Sequence, residues 1–181
     1  PAPGARAVDV ATQPGQSGAR AGPPIAAGPA VGVVLSMAGC GDSRRPSGAT
    51  AISLSRSSGA DITDAGQVKA ALDKVARDHG RIDAVVLCSA VMHRGKLVDA
   101  EDSQVLNQVQ VNLAGNILVS KYAIPHLVKT KGKLVFFASS SYTKGREGYA
   151  VYSATKAAIV NLMQALADEL SGQVDVIAIN P

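Results

Sequence analysis

The chain has 181 residues, 46% of them apolar and 18% charged, with a net charge of +4 at neutral pH. That length suffices for one domain with a sizeable core, and the modest, unclustered charge excludes a nucleic-acid footprint while fitting weak attraction of anionic ligands. There is no tryptophan and only 3% aromatic content, so the core must be built from Val, Leu, Ile and Ala, which suits a parallel sheet under alanine-rich helices.

Residues 1–30 are rich in Pro, Ala and Gly and lack an apolar period. They read as a flexible linker or disordered tail, and a tether to an upstream domain and a loose terminus both fit. The longest uncharged run, residues 21–41, is interrupted by Pro23, Pro24, Pro29 and several glycines. It cannot be a membrane helix, so no membrane partner is expected and the expected location is the cytoplasm.

From Ala30 onward, short apolar runs alternate with helical periods, the pattern of βα units. The predicted strands are 31–36, 49–55, 83–88, 132–138 and 174–179. The predicted helices are 64–79, about 101–129 and 151–171, the last carrying Ala157, Ala158, Leu162, Ala165, Leu166 and Leu170 at helical spacing. Asp64 is placed to cap the first helix. Right-handed crossovers stack these units into a single α/β domain over 31–181, a Rossmann-like, doubly wound parallel sheet.

The chemistry concentrates in Tyr152-Ser153-Ala154-Thr155-Lys156. A spacing of one turn puts the Tyr152 phenol and the Lys156 ammonium on the same helical face. Free tyrosine titrates near pH 10, and a fixed cation favours the phenolate. A hydroxyl from another element, Ser139 at the end of the fourth strand, can hold a carbonyl that the phenol protonates. The competing reading makes Tyr152 a boundary aromatic and Lys156 a solvated helix residue. Ligands in such sheets bind at the carboxyl edge, and Ser139, Cys88 and Leu35-Ser36 all end strands there. Cys40 and Cys88 have neither metal nor redox spacing and read as small buried hydrophobes. His79, His93 and His126 form no ligand cluster, so no metal site is expected.

With these residues in place, the stretch from Gly80 to Pro181 resembles the short-chain dehydrogenase/reductase family. The resemblance is carried by His79-Gly80-Arg81-Ile82-Asp83, Val111-Asn112-Leu113-Ala114-Gly115, Gly132-Lys133-Leu134-Val135, and Ile179-Asn180-Pro181, and above all by Asn112, Ser139, Tyr152 and Lys156. The runs Phe136 to Arg146 and Ser153 to Ala158 are similar to one branch, the reductase domain of bacterial bifunctional CDP-ribitol pyrophosphorylases. That likeness implies an NADPH-dependent carbonyl reductase acting on ribulose 5-phosphate, downstream of a cytidylyltransferase domain. It implies Tyr152 as general acid, Lys156 on the nicotinamide ribose, Ser139 on the substrate oxygen, and Asn112 supporting a water that relays protons to Lys156. It also implies a homo-oligomer formed through the helices carrying Asn112 and Tyr152.

Further positions follow from the same frame. Arg56, in Ser55-Arg56-Ser57 after the second strand, suits a 2′-phosphate where an acidic residue would suit the bare ribose, which favours NADPH over NADH; a surface arginine is the other reading. Asp61 matches the family position that contacts adenine, and a turn aspartate would look the same. Lys144 and Arg146 are candidates for a substrate phosphate, or are solvated loop charges.

The cofactor half departs from the family pattern. Ser36-Met37-Ala38-Gly39-Cys40-Gly41-Asp42 offers Gly39 and Gly41 where three glycines let the backbone approach the pyrophosphate. The helix expected after it is short by about one turn and contains Pro46, which opposes it. Leu87-Cys88-Ser89-Ala90 lacks the usual asparagine and glycine, and the sequence reaches Pro181 before the last strand and substrate-covering segment. These departures motivate an alternative: a weak or inactive reductase-fold module serving dimerisation or domain association.

Overall fold

A computed structural model describes residues 28–35 and 49–180. Five short strands, β1 (Val31–Leu35), β2 (Thr50–Leu54), β3 (Ala84–Leu87), β4 (Lys133–Phe137) and β5 (Asp175–Ile179), form one all-parallel sheet in the order β2-β1-β3-β4-β5. Between them run α1 (Ala65–His79), α2 (Asp102–Val109), α3 (Asn116–Thr130) and α4 (Ala150–Glu169). The connections β2 to β3, β3 to β4 and β4 to β5 all step the same way across the sheet. Right-handed crossovers then put α1, α3 and α4 on one face.

The core lies on that face. Alternate strand residues, Val31, Val33, Leu35, Val85, Leu87, Leu134 and Phe136, join Val68 and Leu72 of α1, Val119, Ala123 and Leu127 of α3, and Ile159 and Met163 of α4 in one buried cluster. The period of two in the strands meets the period of 3.6 in the helices, as a covered parallel sheet requires. Helix α1 starts where expected: the Asp64 carboxylate accepts the Gln67 N–H at 3.0 Å and supplies one of the acceptors the first turn lacks.

The strands fall within a residue or two of their expected bounds, and the stretch expected to be helical over 101–129 is helical from Asp102 to Thr130 but changes its winding partway. A π-helical turn, Gln110–Gly115, separates α2 from α3. Asn116 explains how the wide turn is tolerated. Its Nδ2 donates to the Asn112 carbonyl at 2.8 Å and to that of Val111 at 3.4 Å, replacing helical donors.

The amino edge of the sheet is tied by Asp83. Its carboxylate accepts the Val31 N–H at 2.7 Å and receives Arg81 from Nε and Nη2. Burial pushes that carboxyl up, but the Arg81 guanidinium and the Val31 N–H outweigh it and hold it below the usual carboxylate range. Its carbonyl accepts the Lys133 N–H at 2.9 Å, so β1, β3 and β4 meet at one residue. Among the described residues, no helix is long and apolar enough to cross a membrane, and no group of His, Cys, Asp or Glu is placed to hold a metal.

Gly132 enters β4 with no room for a side chain: a Cβ there would lie 2.5 Å from the Asp83 carbonyl oxygen. Gly132→Ala should therefore lower stability by about 1–3 kcal/mol, read as a reduced urea midpoint at unchanged slope.

Candidate active site

The strand order reverses beside β1: β2 lies on one side of it, and β3, β4 and β5 on the other. In doubly wound sheets a ligand crevice opens at the carboxyl edge of such a point. Here Leu35 ends β1, and its carbonyl accepts the Cys88 N–H at 2.9 Å and the Ser89 hydroxyl at 3.2 Å. The loop after β3 is thus drawn across the end of β1. The expected glycine loop, with Ser36, Gly39, Cys40, Gly41 and Pro46, lies outside the described residues.

Asn112 sits in the π-helical turn at 1% exposure. Its Oδ1 accepts the Val91 N–H at 2.7 Å, and its Nδ2 donates to the Val91 carbonyl at 2.8 Å and to Thr155 Oγ1 at 3.3 Å. Thr155 in turn donates to the Tyr152 carbonyl at 2.8 Å. One buried amide therefore fixes the loop after β3 against α4. Both ends of this side chain are engaged by protein, and the backbone carbonyl of Asn112 is taken by Asn116. Thr155 is a linking residue that the sequence reading passed over. Its signal was its place inside the Tyr-to-Lys run, one turn below the phenol.

Lys156 is buried at 6% exposure. Its Nζ donates to the Phe137 carbonyl at 2.6 Å and stands 5.7 Å from the centroid of the Tyr152 ring. Burial holds the ammonium below the usual lysine range, and nearby Cys88 works the other way. Tyr152 lies in the first turn of α4, half-buried, its ring meeting Tyr149 edge-on at 6.5 Å. Ser139 follows β4 in extended conformation and opens the turn Ser140–Tyr142, where its Oγ accepts the Ser141 N–H at 3.3 Å. The structure thus brings Ser139, Tyr152 and Lys156 to the carboxyl ends of β3 and β4, with Asn112 beneath them.

The other candidates lie further out. Arg56 follows β2 in a short turn that Ser55 and Ser58 close by hydrogen bonds to each other. The Nε edge of Arg56 pairs with Asp61 at 2.8 Å. The backbone N–H and then the hydroxyl of Thr63 are the main causes that lower the Asp61 carboxyl; burial opposes them, and Arg56 adds a smaller lowering. Lys144 and Arg146 lie in an exposed loop, with Arg146 Nη2 donating to Ser140 Oγ at 2.9 Å.

The description short chain dehydrogenase matches residues 49–181. The chain belongs to the short-chain dehydrogenase family. It is 38% identical over 130 residues to a bifunctional ribulose 5-phosphate reductase/CDP-ribitol pyrophosphorylase of Haemophilus influenzae, a match covering 71% of this chain and 27% of that protein. It is 36% identical over 112 residues to a meso-2,3-butanediol dehydrogenase of Serratia marcescens, covering 62% and 45% respectively. The chain thus spans less than half the length of these relatives. Its fold matches the crystal structure of a 3-ketoacyl-(acyl-carrier-protein) reductase from Brucella melitensis complexed with NADH at a TM-score of 0.73 and 21% identity, over 85% of this chain and 76% of that one.

The buried ammonium gives the family site a measurable signature. Below the lowered pKa of Lys156, both folded and unfolded chains carry the charge. Between that value and the ordinary 10.5, only the unfolded chain holds the proton, so folding gains stability as pH rises. Wild type should therefore gain stability relative to Lys156→Met as pH approaches that upper limit, in paired unfolding curves across the range. Parallel curves would show that the ammonium is not desolvated.

Proposed function

We propose that this chain is an NADPH-dependent carbonyl reductase whose substrate is a ketose phosphate, with ribulose 5-phosphate reduced to ribitol 5-phosphate. The observation that carries the reading is the gathering of Ser139, Tyr152 and a buried Lys156 at the carboxyl edge of a sheet whose strand order reverses beside β1. The sugar phosphate is suggested by the Haemophilus influenzae relative, whose name specifies that reduction.

The described residues fit a 2′-phosphorylated dinucleotide. Arg56 is exposed at the end of β2, its Nε edge held by Asp61 while its terminal nitrogens bond to no described residue. A guanidinium in that state suits a phosphate. Asp61 would face the adenine, and Ser36, Gly39, Gly41 and Ser55 would complete the cofactor side. When bound, the reduced nicotinamide supplies the hydride. Ser139 holds the substrate carbonyl oxygen through its hydroxyl, and Tyr152 gives that oxygen its proton as the carbonyl becomes an alcohol. Lys156 orients the ribose and presents positive charge to the phenol. Asn112 is a positioning residue, acting through Val91 and Thr155.

The same relative carries a CDP-ribitol pyrophosphorylase activity, and a cytidylyltransferase domain is the partner this reading expects upstream. It places the protein in the cytoplasm as a homo-oligomer. Leu106 and Val109 of α2 and Ile117 of α3 stay exposed, apolar side chains that suit a second copy. They also favour the second reading, a reductase-fold module whose work is association.

Loss of NADPH absorbance with ribulose 5-phosphate separates the two. Tyr152→Phe keeps the ring and removes the proton, so turnover should fall by about 10²-fold or more while the melting curve stays in place. Unchanged turnover in the variant would remove Tyr152 from the mechanism.

A further inference from the structure

A cavity of about 240 Å³ opens between the loop after β3 and the start of α4. His93, Arg94, Lys96 and Asp99 line it on the loop side, with Gln108 from α2 and Ala150 and Val151 from α4. Three independent features of this cavity point to the same kind of ligand.

The first is the helix end. The 20-residue α4 begins at Ala150 with no side-chain cap, and its first helical hydrogen bond runs from the Ser153 N–H to the Tyr149 carbonyl at 2.8 Å. The N–H groups of Ala150, Val151 and Tyr152 therefore have no acceptor in the helix, and the helix dipole adds positive potential there. The second is a buried amide. Gln108 is 3% exposed, and its Oε1 meets no hydrogen-bond partner. A buried amide without a partner is costly, and its Nε2 is a donor that an oxyanion can use. The third is the cations. Arg94 is not a loose surface charge: its guanidinium lies 5.5 Å over the Tyr149 ring and its loop is bonded to the entry of α4 by the Gly95 N–H on the Gly148 carbonyl at 3.0 Å. Gly148 takes φ +75° to allow this, with the Arg94 stem directly beside it.

We propose that this cavity is a phosphoryl-binding site, in which Arg94, Lys96, the Gln108 amide and the Ala150 and Val151 N–H groups surround a phosphate monoester. Asp99 is the single carboxylate in the lining, so the cations outnumber it. The inference rests on the reductase reading for its biological ligand, which is the phosphate of the sugar substrate. Tyr149 connects the two places, touching Arg94 on one side and Tyr152 on the other. This moves the phosphate away from Lys144 and Arg146, the positions suggested by the sequence.

Calorimetric titration of the full chain with inorganic phosphate tests the site without needing turnover. Wild type should bind saturably, and Arg94→Gln should bind at least tenfold more weakly with an unchanged melting temperature. Gln108→Leu should weaken binding several-fold, and Lys74→Gln on the far helix should match wild type. Absence of saturable binding in wild type overturns the site, as does loss confined to Lys144→Gln or Arg146→Gln. NADPH oxidation with ribulose 5-phosphate and with ribulose then separates the two claims. A raised KM for the phosphorylated sugar alone in Arg94→Gln supports both. Equal KM values in wild type and variant overturn the site while leaving the reductase. Phosphate binding with no turnover of either sugar leaves the anion site standing and overturns the reductase.

Discussion

The carboxyl edge of the sheet hangs on one buried amide. Asn112 closes a two-ended pair of hydrogen bonds with the backbone of Val91 and reaches Thr155 on α4, so the loop after β3, the π-helical turn and the helix bearing the phenol are held as one unit. A buried amide is least costly when both its ends are satisfied, and those of Asn112 are. The wide turn that lets Asn112 face this way opens the backbone at Val111 and Asn112, and Asn116 closes it again. The consequence is that the position of Tyr152 depends on a residue forty positions upstream.

The second constraint sets function against stability. An ammonium taken out of water is costly, and among the described residues the Lys156 ammonium hydrogen-bonds to the Phe137 carbonyl. An apolar side chain of similar length would cost the fold less. The retained charge is intelligible if something else must feel it, and the Tyr152 ring lies 5.7 Å away. The same logic applies to Gln108 beside the cavity at the start of α4. Each is a polar group whose local environment does not account for it.

Most of the fold was legible because strand and helix periods differ and each segment holds one of them. Val31, Val33 and Leu35 alternate, whereas Val68, Leu72 and Val75 recur at helical spacing, and all six are buried. The wider winding at Gln110–Gly115 was not legible, since a π-helical turn keeps the composition of a helix and differs only in its backbone hydrogen bonds. Tyr152, Lys156 and Ser139 could be placed on one edge because strand ends and helix starts are local features. The roles of Thr155, Arg94 and Tyr149 were hidden, because they arise from contacts between segments far apart in sequence. Arg56 and Asp61 were singled out separately, and only the structure shows them as a pair.

The account stands or falls on whether this sheet edge receives a reduced dinucleotide. Titrating the full chain with NADPH, with NADH in parallel, and following the nicotinamide fluorescence is the most direct measurement. The account predicts saturable binding of both reagents, tighter for NADPH, with the preference reduced in Arg56→Ala. No binding of either by the folded chain would contradict it and leave Tyr152 and Lys156 as the remnant of a site that no longer works.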